Sequence, residues 1–258
     1  MRFGVCVTVD KEPIERAKRI GFDYIELPLL KLLELNDNQL EELKIMLDKI
    51  GIYAETYNCF FGNMRLTGDD VDMDKIADYA ETVLKRASFL GGRVAVIGSG
   101  GQRRIPDGFD RDTAEKQFIN ILNVCGDIAG KYGMKIAVEP LNTLETNLIN
   151  TVSECAELVA KADNKNVGVL ADYYHIFMNS EGLNKVADKS TSLIHTHLAR
   201  ADKDRKLPHL GRDDEAVKLF ADALKAHGYE GAISLEGHYD EDVESDWSKA
   251  LEFMKKYF

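Results

Sequence analysis

Eight short apolar runs punctuate the chain: Phe3 to Val7, Tyr24 to Leu27, Ile52 to Tyr57, Val94 to Ile97, Ile136 to Glu139, Val167 to Ala171, Leu193 to His197 and Ala232 to Glu236. The segments between them carry a different period. Leu40, Leu43, Leu47 and Ile50 recur at intervals of three and four, as do Ile76, Val83, Leu84, Ala87 and Leu90, and later Phe118, Ile121, Leu122, Cys125, Ile128 and Tyr132. That spacing predicts amphipathic helices with one buried stripe. Gly21, Gly51, Gly91, Gly133 and Gly228 each stand between a helical stretch and the next apolar run, where a left-handed turn ends a helix. Helix starts are marked by Pro13 and by Thr151 with Glu154, a capping-box pair. Strands alternating with helices eight times predict an α/β fold, a parallel (β/α)8 TIM barrel spanning residues 1–258 as one domain, with no linker dividing it.

Composition narrows the function. A chain of 258 residues with 45% hydrophobic residues can fill one barrel core, and its formal net charge of -11 disfavours nucleic acid as a partner. The four cysteines, Cys6, Cys59, Cys125 and Cys155, form no C-x-x-C pair and no disulfide framework, and are expected to be reduced. No apolar run reaches membrane-spanning length and the opening Met-Arg-Phe-Gly-Val lacks the form of a leader, so a cytoplasmic protein with no membrane partner is expected.

The candidate chemistry stands at the strand ends. Glu139, Asp172, His197 and Glu236 close the last four apolar runs. Residues two apart on a strand share a face, so Glu139 faces with Ala137, Asp172 with Leu170, His197 with His195 and Glu236 with Ser234. Parallel barrels build their sites at the carboxyl ends of several strands. Carboxylates gathered there are costly unless paired or bound to a cation. The set is read as a site for one divalent metal ion, Mn2+ foremost, with Mg2+, Co2+ or Zn2+ also suited to oxygen ligands and one imidazole. All six histidines lie from His175 onward, which leaves none on early strands for a multi-metal hydrolytic cluster. His175 is placed to face the same cavity, His195 to support the site from one layer deeper, and His227 to end a helix. The loop Gly98 to Gly108, glycine-rich with Arg103 and Arg104, reads as a cradle for a phosphate or sugar hydroxyl, or else as a flexible lid. Aromatics in Tyr57-Asn-Cys-Phe-Phe-Gly62 wall a pocket, pack in the core or form a subunit contact, leaving a homo-oligomer open.

Glu139-Pro-Leu-Asn with Glu145-Thr146, Asp172-Tyr-Tyr-His175, His197 followed by an arginine and Pro208, and Glu236-Gly-His together resemble the xylose isomerase-like barrel superfamily, especially its sugar isomerases and D-tagatose 3-epimerase-type enzymes. The resemblance spans essentially the whole chain. It implies Glu139, Asp172, His197 and Glu236 as metal ligands, and Glu145, His175 and an arginine as contacts to a small carbohydrate substrate. Arg200 and Arg205 both follow His197, and Arg205, nearer Pro208, is favoured. The family's Pro-Gly-x-Gly loop stands here as Pro208-His-Leu-Gly211. The implied activity is a metal-dependent sugar, ketose or sugar phosphate isomerase or epimerase, in which Glu139 and Glu236 move a proton through a metal-stabilised enediolate. The alternatives are a dehydratase or lyase of the same superfamily acting on a cyclitol or dehydroshikimate, an endonuclease IV-like phosphodiesterase, and a non-catalytic sugar-binding barrel.

Overall fold

The computed structural model describes residues 1–240 and 242–258. Eight parallel strands close a barrel in sequential order. The first half runs β1 (Arg2–Cys6), α1 (Lys11–Ile20), β2 (Tyr24–Pro28), α2 (Leu29–Glu34), α3 (Asp37–Ile50), β3 (Ala54–Asn58), α4 (Met73–Phe89), β4 (Val94–Ile97), α5 (Gly100–Arg103) and α6 (Arg111–Lys131). The second half runs β5 (Lys135–Val138), α7 (Val152–Ala162), β6 (Val167–Asp172), α8 (Tyr173–Met178), α9 (Asn184–Ala187), β7 (Leu193–Leu198), α10 (Asp214–His227), β8 (Ala232–Leu235) and α11 (Val243–Tyr257). Among the described residues no helix is long and apolar enough to cross a membrane.

The periodic stripes bury as predicted: Leu40, Leu43 and Leu47 on α3, Ile76, Val83, Leu84 and Ala87 on α4, and Phe118, Ile121, Leu122 and Cys125 on α6 all pack in the main core. Gly21, Gly51 and Gly228 cap α1, α3 and α10 in the left-handed conformation. Gly91 and Gly133 adopt the same positive φ one residue beyond their caps. Thr151 and Glu154 form the capping box of α7. Boundaries shift by a residue at several strands and by two at β3, which begins at Ala54; the amide of Ile52 is spent on the carbonyl of Leu47 at the end of α3. The short helices α2, α5, α8 and α9 went unread; they hold too few residues to show a period.

The barrel interior is divided. Val96, Ala137 and Leu170, from β4, β5 and β6, form a small apolar cluster. Glu26, Thr56, His195 and Ser234, from β2, β3, β7 and β8, are all buried and polar. The strand ends that carry Glu139, Asp172, His197 and Glu236 stand above both halves.

One loop reading is corrected, and another is decided among its alternatives. Arg103 does not face a ligand: it is fully buried and donates to the carbonyls of Gly98 (2.7 Å), Leu148 (3.1 Å) and Ile149 (3.1 Å). The β4–α5 loop is therefore pinned to the β5–α7 connection and is neither an open lid nor an arginine cradle. Burial lowers the Arg103 guanidinium to about 10, still charged at neutral pH. Arg104 is exposed and donates to the carbonyl of Leu144. The aromatics Phe60 and Phe61 are core residues, packed on each other and on Tyr79 with ring centroids 4.6–6.2 Å apart.

Arg103→Ala should lower unfolding free energy by about 3 kcal/mol or more, since a charged hydrogen bond contributes roughly 1.5–3 kcal/mol and buried carbonyls would lose their donors. Arg104→Ala should change it by no more than about 0.5 kcal/mol, the range for exposed sites. Urea unfolding of both variants checks the contrast.

Candidate metal centre

Each functional side chain reaches the mouth because its strand is about to end. Glu139 and Glu236 lie one residue past β5 and β8, yet their amides still bond to Ile97 and Leu198 of the neighbouring strands at 3.1 Å. The ladder thus orients both carboxylates inward. Asp172, the last residue of β6, stands in register with His197 of β7. Its Oδ1 also accepts from the amide of Tyr174 at 2.8 Å, capping α8. That cap turns the first helical turn so that His175 folds back over the site, with Nε2 at 3.6 Å from Asp172 Oδ2.

The structure brings Glu139, Asp172, His197 and Glu236 together, with one ligand atom of each within 4.8 Å of the others. His197 Nδ1 lies 2.7 Å from Glu236 Oε2 and 3.2 Å from Glu139 Oε1. Arg205 is drawn into the same group: its Nη2 donates to Asp172 Oδ2 at 2.7 Å and Glu236 Oε2 at 2.6 Å. The guanidinium lies over the ring of Tyr174. Arg200 is instead paired with Asp202 and, at 4.0 Å, with Asp213. Glu145 is at the rim, its Oε1 accepting from Asn142 Nδ2 at 2.7 Å.

Environment sets the acids apart. Burial raises the Glu139 carboxyl above its ordinary value, with the charge of Glu236 adding to the effect against the pull of His197. Burial acts on Glu236 in the same sense, but His197 and Arg205 outweigh it and the carboxyl is lowered. Asp172 is held at about 2, because Arg205, with His175 and His197, overcomes the burial penalty. His197 itself is pushed well above the usual imidazole range; burial opposes this, and Glu26 and Glu236 prevail.

His175 carries a second signal. Its Nδ1 accepts from the backbone amide of Asn142 at 3.1 Å, which leaves the proton on Nε2 in the neutral ring. That Nε2 is buried with no hydrogen-bond partner. A donor left unpaired beside Asp172 and 4.0 Å from Glu139 suits an oxygen of a ligand bound over the carboxylates.

Sequence reading missed three contributors. Glu26, fully buried on β2, accepts from Ser234 Oγ (2.6 Å), Thr56 Oγ1 (2.8 Å), His195 Nε2 (2.9 Å) and His197 Nε2 (3.0 Å). An acid inside the apolar run Tyr24-Ile-Glu-Leu27 was the available signal. Gly98 supplies room: a Cβ there would stand 2.5 Å from Glu139 Oε2. Asn142 holds both His175 and Glu145, a link only the folded loop shows. Cys6, Glu26 and His197 form another ligand-like group. It fits a cation poorly, because four donors already fill the lone pairs of Glu26 and burial, with Glu26 and Glu236, drives the Cys6 thiol well above its ordinary value.

A sequentially closed parallel barrel with acids and an imidazole at its strand ends defines a TIM-barrel protein with a candidate metal centre. Residues 14–257 match the xylose isomerase-like TIM barrel family, and the chain belongs to it. Among its relatives, D-psicose 3-epimerase of Ruminiclostridium cellulolyticum is 27% identical over 228 residues, covering 86% of this chain and 76% of that protein. A crystal structure of D-psicose 3-epimerase in the presence of D-fructose superposes with TM-score 0.86 at 20% identity, covering 100% of this chain and 99% of the other. The IOLI protein with a bound zinc atom superposes with TM-score 0.78 at 21% identity, over 100% and 99% of the two chains.

Gly98→Ala should leave the fold intact, since the atom its Cβ would meet is the tip of a flexible side chain. The expected change is local: a crystal structure of the variant should show Glu139 turned away from His197 Nδ1, beyond hydrogen-bonding distance. A Glu139 that keeps its 3.2 Å contact would mean that Gly98 does not set its position.

Proposed function

We propose that this chain is a divalent-metal-dependent sugar epimerase or isomerase acting on a ketose, with Glu139, Asp172, His197 and Glu236 as the metal ligands and Glu139 and Glu236 as the proton-transfer pair. The observation that carries the reading is the approach of Glu139 and Glu236, from strands β5 and β8, to the same nitrogen of His197 at 3.2 and 2.7 Å. A substrate held between two such carboxylates meets one on each side. The donor set fits the ion: three carboxylates and an imidazole within 4.8 Å, beside an unpaired buried donor on His175. When bound, the ion neutralises charge developing on the substrate oxygens. The psicose 3-epimerase relative and the zinc-bearing neighbour support sugar and metal respectively. Mn2+ is the preferred ion because carboxylate oxygens dominate the set.

The remaining steps belong to the side chains. Glu236, kept ionised by His197 and Arg205, removes a proton from one face of the carbon beside the carbonyl. Glu139, whose carboxyl burial favours in the protonated form, gives its proton to the opposite face, and the reverse reaction exchanges the two roles. His175 Nε2–H and Arg205 hold substrate oxygens, and Glu145 receives a hydroxyl at the rim. Return of the proton to the opposite face of the same carbon inverts it; return to the neighbouring carbon exchanges aldose and ketose.

The deciding experiment is incubation with a panel of free ketoses in D2O. Deuterium should enter at one carbon adjacent to the carbonyl, together with inversion or isomerisation there. No exchange with any ketose, in protein that has taken up metal, would overturn the reading. Chelator treatment should abolish turnover and added Mn2+ should restore it. Glu236→Gln should lower kcat roughly 10²–10⁴-fold, the contribution of a general acid or base, while metal binding falls less. Loss of both in parallel would leave Glu236 a ligand only.

A further inference from the structure

We infer that Glu26 is the positioning residue of the metal centre: its buried carboxylate fixes the ring of His197 so that Nδ1, and not Nε2, faces the ion. The inference rests on the metal-ligand reading of His197 given above. Glu26 is fully enclosed and its two oxygens divide their work. Oε1 takes His197 Nε2 at 3.0 Å. Oε2 takes Ser234 Oγ at 2.6 Å, Thr56 Oγ1 at 2.8 Å and His195 Nε2 at 2.9 Å. Those three donors come from β8, β3 and β7, and a further hydroxyl, that of Tyr24, lies 2.9 Å from Ser234 Oγ.

An ionised carboxylate accepts only. A His197 nitrogen placed against Oε1 must therefore carry a hydrogen, and the ring's other nitrogen is the one left with a lone pair for a metal. Three outside donors on Oε2 prevent the carboxylate from rotating away. The ring is held from below by Glu26 and from above by Glu139 and Glu236, so its orientation is settled before an ion arrives, and an ion taking Nδ1 displaces the hydrogen that faces those two carboxylates. Partners placed behind a ligating histidine typically change metal affinity 10–100-fold when removed.

Glu26→Gln separates this role from packing. Gln keeps the shape, but its NH2 must face a donor whichever way the amide is turned: His197 on one side, or the Ser234, Thr56 and His195 group on the other. With the NH2 toward His197, the ring must offer its lone pair to Nε2's partner and carry its proton on Nδ1, against the ion. Metal affinity of chelator-stripped protein, measured by competition with a chromogenic chelator using Zn2+ and Mn2+, should fall about 10–100-fold. Glu26→Asp withdraws the charge by one methylene and keeps an acceptor-only group, so it should lose less than Glu26→Gln and serves if the latter does not fold. In zinc-loaded wild type, long-range proton–nitrogen NMR should place the His197 proton on Nε2. Folded variants that both bind metal like wild type, or a His197 proton found on Nδ1, would overturn the inference alone. Wild-type protein that takes up neither ion would overturn it together with the functional reading.

Discussion

Three carboxylates cannot be buried within a few ångströms of one another unless positive charge is supplied, and that requirement shapes this barrel mouth. Glu139, Asp172 and Glu236 are fixed by strand ends that cannot move without breaking the ladder. The compensation comes from His197 between Glu139 and Glu236 and from Arg205 between Asp172 and Glu236. Removing water from such a group costs several kcal/mol per ion unless geometry is good. Every cationic partner here is therefore close and directional, and a divalent ion adds to a balance that the protein has already begun.

The layer below extends the same logic. A parallel barrel is normally filled by branched apolar side chains, and the half formed by β4, β5 and β6 follows that rule with Val96, Ala137 and Leu170. The half formed by β2, β3, β7 and β8 gives the space to Glu26 and its donors. Hydrophobic stabilisation is thereby concentrated between the barrel and its helices, where the large contiguous core lies. The interior is left to orient polar groups.

The fold was legible because each element repeats a simple period over enough residues to show it, and five glycines mark the helix-to-strand turns. The strand-end residues stood out for the same reason: a charge or imidazole closing an apolar run has few structural uses. Glu26 was hidden because it lies inside its run, where attention to the ends does not reach. Its meaning depends on β7 and β8, more than 160 residues away in sequence. Arg103 misled in the opposite direction. A cation in a glycine-rich loop reads as exposed, and only the carbonyls of Leu148 and Ile149, delivered by another loop, make a fully buried guanidinium tolerable. Local pattern carries periodicity well; it carries little about which distant carbonyl will satisfy a buried donor.

The difference between the Glu139 and Glu236 carboxylates goes with two bare glycine positions. At the end of β4, the bare Gly98 lets Glu139 lie against the backbone, where a Cβ would stand 2.5 Å from Oε2. There Glu139 is buried and has no guanidinium of its own, so burial governs it and its proton affinity rises. Just past β8, the bare Gly237 lets the Arg205 carbonyl come to where a Cβ would stand only 2.8 Å away. That approach is fastened by the amide of His238 at 2.7 Å and holds Arg205 at a positive φ of 49, a conformation that costs a non-glycine residue about 1–3 kcal/mol. From that position the guanidinium donates to Glu236 and Asp172, and with His197 it keeps Glu236 ionised. One carboxylate is made ready to hold a proton and its counterpart to remain without one, which is the asymmetry that a two-group proton exchange needs at the start of each turnover.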